Sequence, residues 1–309
     1  MNFLASFARK YLPIIAGLII LLVIALLAPW GKVAELLERV PPEIFITLTG
    51  LSLLYFISKA FRFWYILQLL DINVPVRRVV PLYLAGQPFS FLPAGELYRA
   101  VLLEKHIGVR ISKSAPSVTL QGLVEAIVLL AFSLVGAFLI GQNRLVVASI
   151  AALLVLLLVA LRRGWFEGKH KLINKIPFVS IREEKYQTFL KGHQRLVAPT
   201  SLAILSGLSV IPVLAGVGIL YFSALGIDTH LKFVEAAISY TLPVILAGLS
   251  FLPGGIGVGE GGTIGMLHLF GVSTAAAVTI TVLVRGFTLV AGVIYGFIAQ
   301  LYVYLGGKS

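Results

Sequence analysis

Cysteine is absent from this 309-residue chain, and charged residues make up only 12% of it. The absence of cysteine excludes disulfides, thiolate nucleophiles and cysteine-based metal sites. The five histidines are scattered without an HExxH pair, and the terminal segment 306–309 lacks the upstream glycine and the following helix of a phosphate-binding loop. We therefore expect no enzymatic activity, no cofactor, no metal site and no ATP-driven transport by this chain alone.

Apolar residues dominate what is present, at 59% of the chain with a mean hydropathy of +0.99. This composition predicts an integral membrane protein, and the lack of porin-like alternation predicts helical spans, so the fold class is all-α and polytopic. Six apolar windows approach or exceed the roughly 20 residues that a crossing helix needs. They cover residues 12–28, 44–70, 116–140, 145–161, 200–225 and 274–305.

The first window could be mistaken for a signal peptide, but cleavage after Ala28 would place Leu26 where a small residue is required. We interpret it as a retained helix.

The formal net charge of +12 lies at the ends of the apolar segments, which favours an effect on membrane orientation over nucleic-acid binding. Nine Lys or Arg residues face three Glu residues in the segment 162–199, which predicts a basic cytoplasmic loop. Alternation from that loop predicts cytoplasmic N- and C-termini. Of the 25 Lys and Arg residues, only four would then face outward, namely Lys32, Arg39, Arg144 and Lys232.

A Ser-Phe-Leu-Pro-x-Gly sequence occurs twice, beginning at Ser90 and at Ser250. Basic residues flank the first copy on both sides, and the 14 residues of segment 79–92 reach only about 21 Å as a helix, short of a roughly 30 Å hydrocarbon core. We therefore predict two re-entrant helical hairpins that enter from opposite faces. Their turns would be formed by Pro93, Gly95, Pro253, Gly254, Gly255 and Gly257.

The two copies lie 160 residues apart, and the same offset relates Val118-Thr119 to Val278-Thr279 and Glu125 to Arg285. Chance similarity of apolar helices would explain the helix matches alone, but the shared turn motif favours an internal repeat. We expect one domain, 1–309, with repeat 1 at about 44–140 and repeat 2 at about 200–305. Three crossings between the hairpins would make the repeats inverted, an architecture found in many transporters.

Two opposite charges lie deep within the apolar windows. Glu125 and Arg285 each lie eleven residues beyond the start of a helix, at Ser114 and Thr274, or about 16 Å of depth. We predict that they approach one another or share one polar cavity, although a buried pair that only fixes helix packing is a close alternative.

Further polar residues lie at the helix ends and the breaks. Glu96 could cap a helix, and Arg99 could pair with it, bind a lipid phosphate or reach the interface. Glu260 lies among glycines whose N–H groups could hold an anion or whose small size could serve packing. For Lys59 and Arg62 the favoured interpretation is interface anchoring, with an accessory contact to lipid phosphate as the alternative.

The segments 93–100, PAGELYRA, and 253–261, PGGIGVGEG, resemble motifs of the transmembrane flippase-like family of lysylphosphatidylglycerol synthase and multiple peptide resistance factor proteins. The similarity extends over about 44–305. Departures occur at Gly122, Glu125 and Gly259, and in the shortened first motif. The resemblance implies translocation of lipids between leaflets. Because no aminoacyl-transferase sequence follows Ser309, we expect a stand-alone translocator.

Together these features predict a lipid translocator of the cell membrane with a polar cavity at the bilayer midplane. The predicted lining comprises Glu96, Arg99, Gln121, Glu125, Glu260, Thr281 and Arg285. Its substrate would be a phosphate-containing lipid, either an anionic or aminoacylated phospholipid such as a phosphatidylglycerol derivative or a polyprenyl phosphate lipid. Alternating access and a passive scrambling groove are both compatible with it.

The sequence leaves two other function classes open. One is an intramembrane lipid-modifying enzyme with Glu125 or Glu260 as general base. The other is a regulatory subunit of a lipid or glycan synthesis complex. The expected partners are membrane lipids, with a homo-oligomer or a lipid-synthesis enzyme as further candidates.

Overall fold

The computed structural model describes residues 19–90, 95–141, 144–162, 183–250 and 252–306, and these residues form helices and short connections without a strand. The α-helices, in chain order, are α1 Ile19–Leu27, α2 Trp30–Glu38, α3 Pro42–Leu69, α4 Val76–Ala85, α5 Tyr98–Ile107, α6 Ile111–Leu139, α7 Arg144–Arg162, α8 Glu183–Leu196, α9 Pro199–Leu225, α10 Phe233–Leu249, α11 Val258–Leu269, α12 Thr274–Arg285 and α13 Ala291–Gly306. The fold is therefore all-helical, as predicted.

Four helical stretches are long and apolar enough to cross a membrane: α3, α6, α9 and the continuous stretch Thr274–Leu305. A π-helical turn at Gly286–Val290 joins α12 to α13 within that last stretch. Helices α1 and α2 meet at 78° and would make a fifth span if counted as one, while α7 and α10 contain shorter apolar segments. The protein is embedded in a membrane by these spans, and the expected window 12–28 begins outside the described residues.

Each Pro-Gly break separates two short helices. Helix α4 has ten residues, about 15 Å of rise, and ends in the 3₁₀ turn Gln87–Phe89. Gly95 begins the 3₁₀ turn Gly95–Leu97 that leads into α5, whereas the predicted turn residue Pro93 lies outside the described residues. The second break follows α10 and consists of the 3₁₀ turn Pro253–Gly255 before α11.

The helices that follow the two breaks, α5 and α11, end in the same way. Gly108 after α5 has φ of +77°, and Gly271 after α11 has φ of +78°. This left-handed conformation is open to glycine without a steric penalty, and it stops a helix so that the chain can turn into the next one. Helix α6 begins three residues after Gly108, and α12 begins three residues after Gly271.

The two first crossing helices, α3 and α9, pack together in opposite directions. Arg62 near the end of α3 contacts Ser209 near the start of α9, while Ile44 at the start of α3 packs on Gly226 just after α9. A residue late in α3 thus contacts one early in α9, and a residue early in α3 contacts one at the end of α9. Helix α3 consequently lies antiparallel to α9.

The short helices before the two breaks pack against the last crossing helix of the other half of the chain. Helix α10 lies antiparallel to α6, since Ser133 bonds Thr241 at 2.7 Å and Gly136 packs on Ile238. Helix α4 and the 3₁₀ turn after it lie antiparallel to α13, since the Gln300 side chain donates to the Ala85 carbonyl at 2.9 Å and Gly296 packs on Pro88. The two halves of the chain are therefore interleaved rather than side by side.

Helix α8, within the predicted basic loop 162–199, packs on the start of α6. An added Cβ at Gly192 would lie 3.0 Å from Pro116 Cγ, so the two helices are in close contact. Arg195 of α8 donates two hydrogen bonds to the carboxylate of Asp71, which follows α3. The Arg195 guanidinium holds the pKa of Asp71 below its ordinary value. Residues 163–182 of that loop lie outside the described residues.

Candidate functional site

A cavity of about 510 Å³ lies between the two Pro-Gly breaks. Its walls come from α3, from the segment before α5, from α6, from α10 and the following break, and from α12 with its π-helical turn. Five of the seven predicted lining residues border it, namely Glu96, Arg99, Glu125, Thr281 and Arg285. Both halves of the chain thus contribute charged side chains to one cavity.

Glu125 of α6 accepts hydrogen bonds from two cations of α3. Lys59 Nζ lies 2.9 Å from Oε1, and Arg62 Nη2 lies 2.7 Å from Oε2. Lys59 also donates to the Tyr55 hydroxyl at 3.0 Å, and Arg62 donates to the Ser209 hydroxyl of α9 at 2.6 Å. Two cations therefore share one carboxylate where α3, α6 and α9 meet.

The interpretation of Lys59 and Arg62 as interface anchors is wrong for this pair. The Arg62 side chain is fully buried, and only 16% of the Lys59 side chain is exposed, where it borders the cavity. The reason is that a carboxylate 63 residues further along, Glu125, lies on the neighbouring helix and compensates both charges.

Arg99 at the start of α5 is held by a second set of contacts. Its guanidinium donates to Glu96 at 2.5 Å and to Ser90 at 2.9 Å, and it lies over the Tyr83 ring at 4.3 Å. Gly86 makes room for this arginine, because an added Cβ would lie 2.6 Å from Arg99 Cγ. Glu96 forms an ion pair here rather than a bond to the backbone of α5.

Glu260 and Arg285 form the third charged pair. Glu260 Oε1 accepts from Arg285 Nε at 2.7 Å, and Glu260 Oε2 accepts from the backbone N–H of Gly257 at 2.6 Å. The anion held at the glycine-rich break is thus the protein's own carboxylate, which also caps α11. An added Cβ at Gly259 would lie 2.2 Å from Arg285 Nη2, so this glycine gives the guanidinium its place.

The second break depends on glycine for its backbone. Gly254, Gly255 and Gly257 have φ of +62°, +64° and +86°, a region that other residues rarely adopt. Gly255 is in addition close to Ala247 of α10, 2.4 Å from an added Cβ. The chain can therefore reverse tightly after Pro253, and this places α11 against α10.

Glu125 and Arg285 border the same cavity but do not pair with each other. Each is bonded to other partners, Glu125 to α3 and Arg285 to Glu260. Gln121 lies outside this cavity: it borders an adjacent one and donates to the Tyr83 hydroxyl at 2.8 Å. Thr281 borders the cavity and donates its hydroxyl proton to the carbonyl of its own helix, at Ala277.

One model of a known protein family matches most of the chain. The model of the lysylphosphatidylglycerol synthase TM region matches residues 14–296. The chain belongs to this family. The match includes both Pro-Gly breaks and all the charged residues of the cavity. No curated protein sequence matches the chain at a significant level.

Sequence reasoning missed several polar residues of this family member's site. Tyr55, Tyr240 and Ser90 border the cavity, and Tyr83 and Ser209 hold the arginines. Two of them could have been found from the sequence, because Tyr55 lies one helical turn before Lys59 and Ser90 belongs to the duplicated motif. The roles of the others depend on contacts between helices that are distant in sequence.

The charges of the site do not balance. Four cations, Lys59, Arg62, Arg99 and Arg285, face three carboxylates, those of Glu96, Glu125 and Glu260. Lys59, Arg99 and Arg285 border the cavity directly. The site can therefore attract an anionic group, and each carboxylate can release a cation to it or take up a positively charged group.

Proposed function

We propose that this protein translocates a phosphate-containing lipid between the leaflets of the cell membrane. One observation carries the proposal: a single cavity is bordered by charged side chains from both halves of the chain, with one more cation than carboxylates. Charges within a membrane are costly and usually mark the path of a polar substrate. The family membership supports a role in lipid metabolism or translocation.

The proposed architecture is a pair of inverted repeats, each with a re-entrant hairpin, and with both termini in the cytoplasm. The antiparallel packing of α3 on α9 supports the inversion, because these helices hold equivalent places in the two halves. The ten-residue length of α4 supports re-entry of the first hairpin, since it is too short to cross a hydrocarbon core. Inverted repeats around a central site permit alternating access.

In the proposed mechanism the lipid phosphate binds Lys59, Arg99 or Arg285 in place of their carboxylate partners. The released carboxylate then holds a cationic part of the head group or a coupling proton. The acyl chains remain in the bilayer while the head group crosses through the cavity. Such an exchange of ion-pair partners keeps every buried charge compensated during the passage.

Reconstitution into vesicles tests the function. Vesicles would contain phosphatidylglycerol with a fluorescent head group, and a membrane-impermeant reductant would report which leaflet holds it. We expect the protein to expose inner-leaflet lipid without changing its mass, and Glu260→Gln to slow this exchange. Glu43→Gln, at an exposed position in the first turn of α3, is the matched control.

Other outcomes would contradict the proposal. A change in the mass of the lipid would indicate a lipid-modifying enzyme. If exchange with the wild-type protein does not exceed that of empty vesicles, the chain is not a translocator for this lipid class, and a regulatory role in lipid synthesis would be favoured.

The topology can be tested with single cysteines, since the natural chain has none to interfere. Arg77→Cys and Glu104→Cys flank the first hairpin, and His230→Cys and Thr274→Cys flank the second. In intact cells we expect an impermeant maleimide to label the second pair and not the first. Labelling of only one member of either pair would show that the hairpin crosses the membrane completely.

A further inference from the structure

A second cavity, also of about 510 Å³, lies beside the first, between α6, α7 and α10. The two cavities share the side chains of Lys59, Glu96 and Glu125, together with Val244 and Gly248. Away from these charges the second cavity is bordered by apolar residues of the three helices. It thus has a charged inner end and an apolar outer part.

Two glycines border this second cavity. An added Cβ at Gly122 of α6 or at Gly248 of α10 would meet no atom within 4 Å, and both residues are exposed. Glycine within a helix lowers helix stability relative to alanine, so a glycine there usually serves close packing. Gly136 and Gly216 do so against Ile238 and Tyr240. No neighbour in the described chain uses the space at Gly122 and Gly248.

The third wall is α7, which contributes Leu153 and Leu157. Among the described helices, α7 packs chiefly against α6. Among the described helices, a single apolar helix therefore bounds the cavity on its α7 side.

Gln121 gives an independent sign of a ligand. Its side chain is 2% exposed and borders the second cavity, and its amide nitrogen donates to Tyr83. Its carbonyl oxygen Oε1 has no hydrogen-bond partner among the residues that the structure describes. A buried acceptor without a partner is costly, so a ligand that supplies a hydroxyl or amine donor would satisfy it.

We infer that this second cavity is a lateral portal that holds an acyl chain of a phospholipid whose head group lies among Lys59, Glu96 and Glu125. The inference rests on the proposed function. An apolar groove facing the bilayer gains no hydrophobic energy from an acyl chain, because lipid tails are already apolar. Selection of the lipid therefore falls to the charges and Gln121 at the inner end, and the groove supplies the space for the chain.

Photo-crosslinking tests the portal directly. The probe is phosphatidylglycerol with a diazirine in one acyl chain, in vesicles that contain the wild-type protein. We expect adducts in the segments 122–130, 153–157 and 244–249, suppressed by excess unlabelled phosphatidylglycerol. Free glycerol 3-phosphate at the same total concentration should not suppress them, because it stays in the water, whereas the acyl chains of the lipid concentrate its head group beside the site. Adducts on the outer face of α3, such as at Leu54, should not respond to the competitor.

Two variants, Gly122→Leu and Gly248→Leu, fill the second cavity without a clash at Cβ. We expect each to reduce adducts in the portal to the level found on the outer face of α3. Gly207→Leu is the matched control, since Gly207 of α9 is also exposed with no atom within 4 Å of an added Cβ. Thermal melting of each variant confirms that it is folded.

The outcomes separate this inference from the proposed function. Portal adducts that do not respond to unlabelled phosphatidylglycerol would overturn the inference, because the lipid would then be ordinary bilayer lipid. Suppression by glycerol 3-phosphate would overturn it as well, and so would folded leucine variants with unchanged adducts. Specific portal adducts without leaflet exchange would support the inference while contradicting translocation.

Discussion

Replacing Lys59 and Arg62 separately by methionine distinguishes a substrate-binding cation from a structural one. Both bond the carboxylate of Glu125, but they differ in where they lie. Arg62 is fully buried and also bonds Ser209 of α9. Lys59 borders both cavities. Methionine keeps an unbranched apolar chain in each position, so the charge and the polar contacts are the main loss.

The expected stability losses follow from these contacts. Arg62→Met removes a buried ion pair and the link to Ser209, which should cost about 3 kcal/mol of unfolding free energy, at the low end for a broken buried pair because Lys59 still compensates Glu125. The melting temperature should fall by roughly 6 to 12 °C. Lys59→Met leaves Glu125 paired with Arg62, so its cost should be about 1 kcal/mol or less.

The expected effects on transport have the opposite order. If Lys59 binds the lipid phosphate, its loss removes a charge-assisted hydrogen bond of about 1.5 to 3 kcal/mol, or roughly 10- to 150-fold in the transport rate at low lipid content. Arg62→Met protein that is still folded should retain most of its transport, because Arg62 does not border the cavity.

The assay combines melting curves of purified variants with leaflet exchange in vesicles at equal amounts of folded protein. Glu43→Gln serves as the control in both measurements. The reasoning is refuted if Lys59→Met lowers the melting temperature as much as Arg62→Met, or if it transports lipid at the wild-type rate. Either result would show that the cluster around Glu125 has only a packing role.

Two further predictions concern the break before α11 and the docking of α8. Gly259→Ala should displace the Arg285 guanidinium, which lies 2.2 Å from the added Cβ, and slow leaflet exchange, whereas Gly265→Ala, with open space at its Cβ, should not. The ion pair with Arg195 lowers the pKa of Asp71 in the folded protein. The pair therefore stabilises the fold fully when the pH is above the pKa that this carboxyl has in the unfolded chain. This stabilisation is lost as the pH falls through the lower pKa of the folded protein. The melting temperature of Asp71→Asn should therefore lie slightly below that of the wild type at neutral pH and converge with it in acid; a constant difference at all pH values would contradict this.

Much of the helical organisation could be predicted from the sequence. The apolar windows 44–70, 116–140, 200–225 and 274–305 match helices long enough to cross a membrane. The Pro-Gly breaks were visible because proline removes a backbone donor and glycine permits positive φ. These are local properties of the chain, and they do not depend on which helices become neighbours.

The pairing of the charges could not be predicted in the same way. Equal depth and equivalent repeat positions suggested that Glu125 and Arg285 meet, and both do border one cavity. Their ion-pair partners are nevertheless others, because depth fixes the position of a residue along a helix axis but not the direction in which its side chain points. Direction follows from the rotation and the neighbours of each helix, here α3 beside α6 and α11 beside α12.

The sequence by itself determined that the protein is helical, that it lies in a membrane, where its helices break, and that Glu125 and Arg285 lie within apolar segments. Only the tertiary structure decided that Lys59 and Arg62 compensate Glu125, that Glu260 holds Arg285, and that a second cavity joins the first. The physical reason is that hydropathy and backbone freedom are local, whereas compensation of a buried charge requires a partner brought near by packing, 63 or 66 residues away in the case of Glu125.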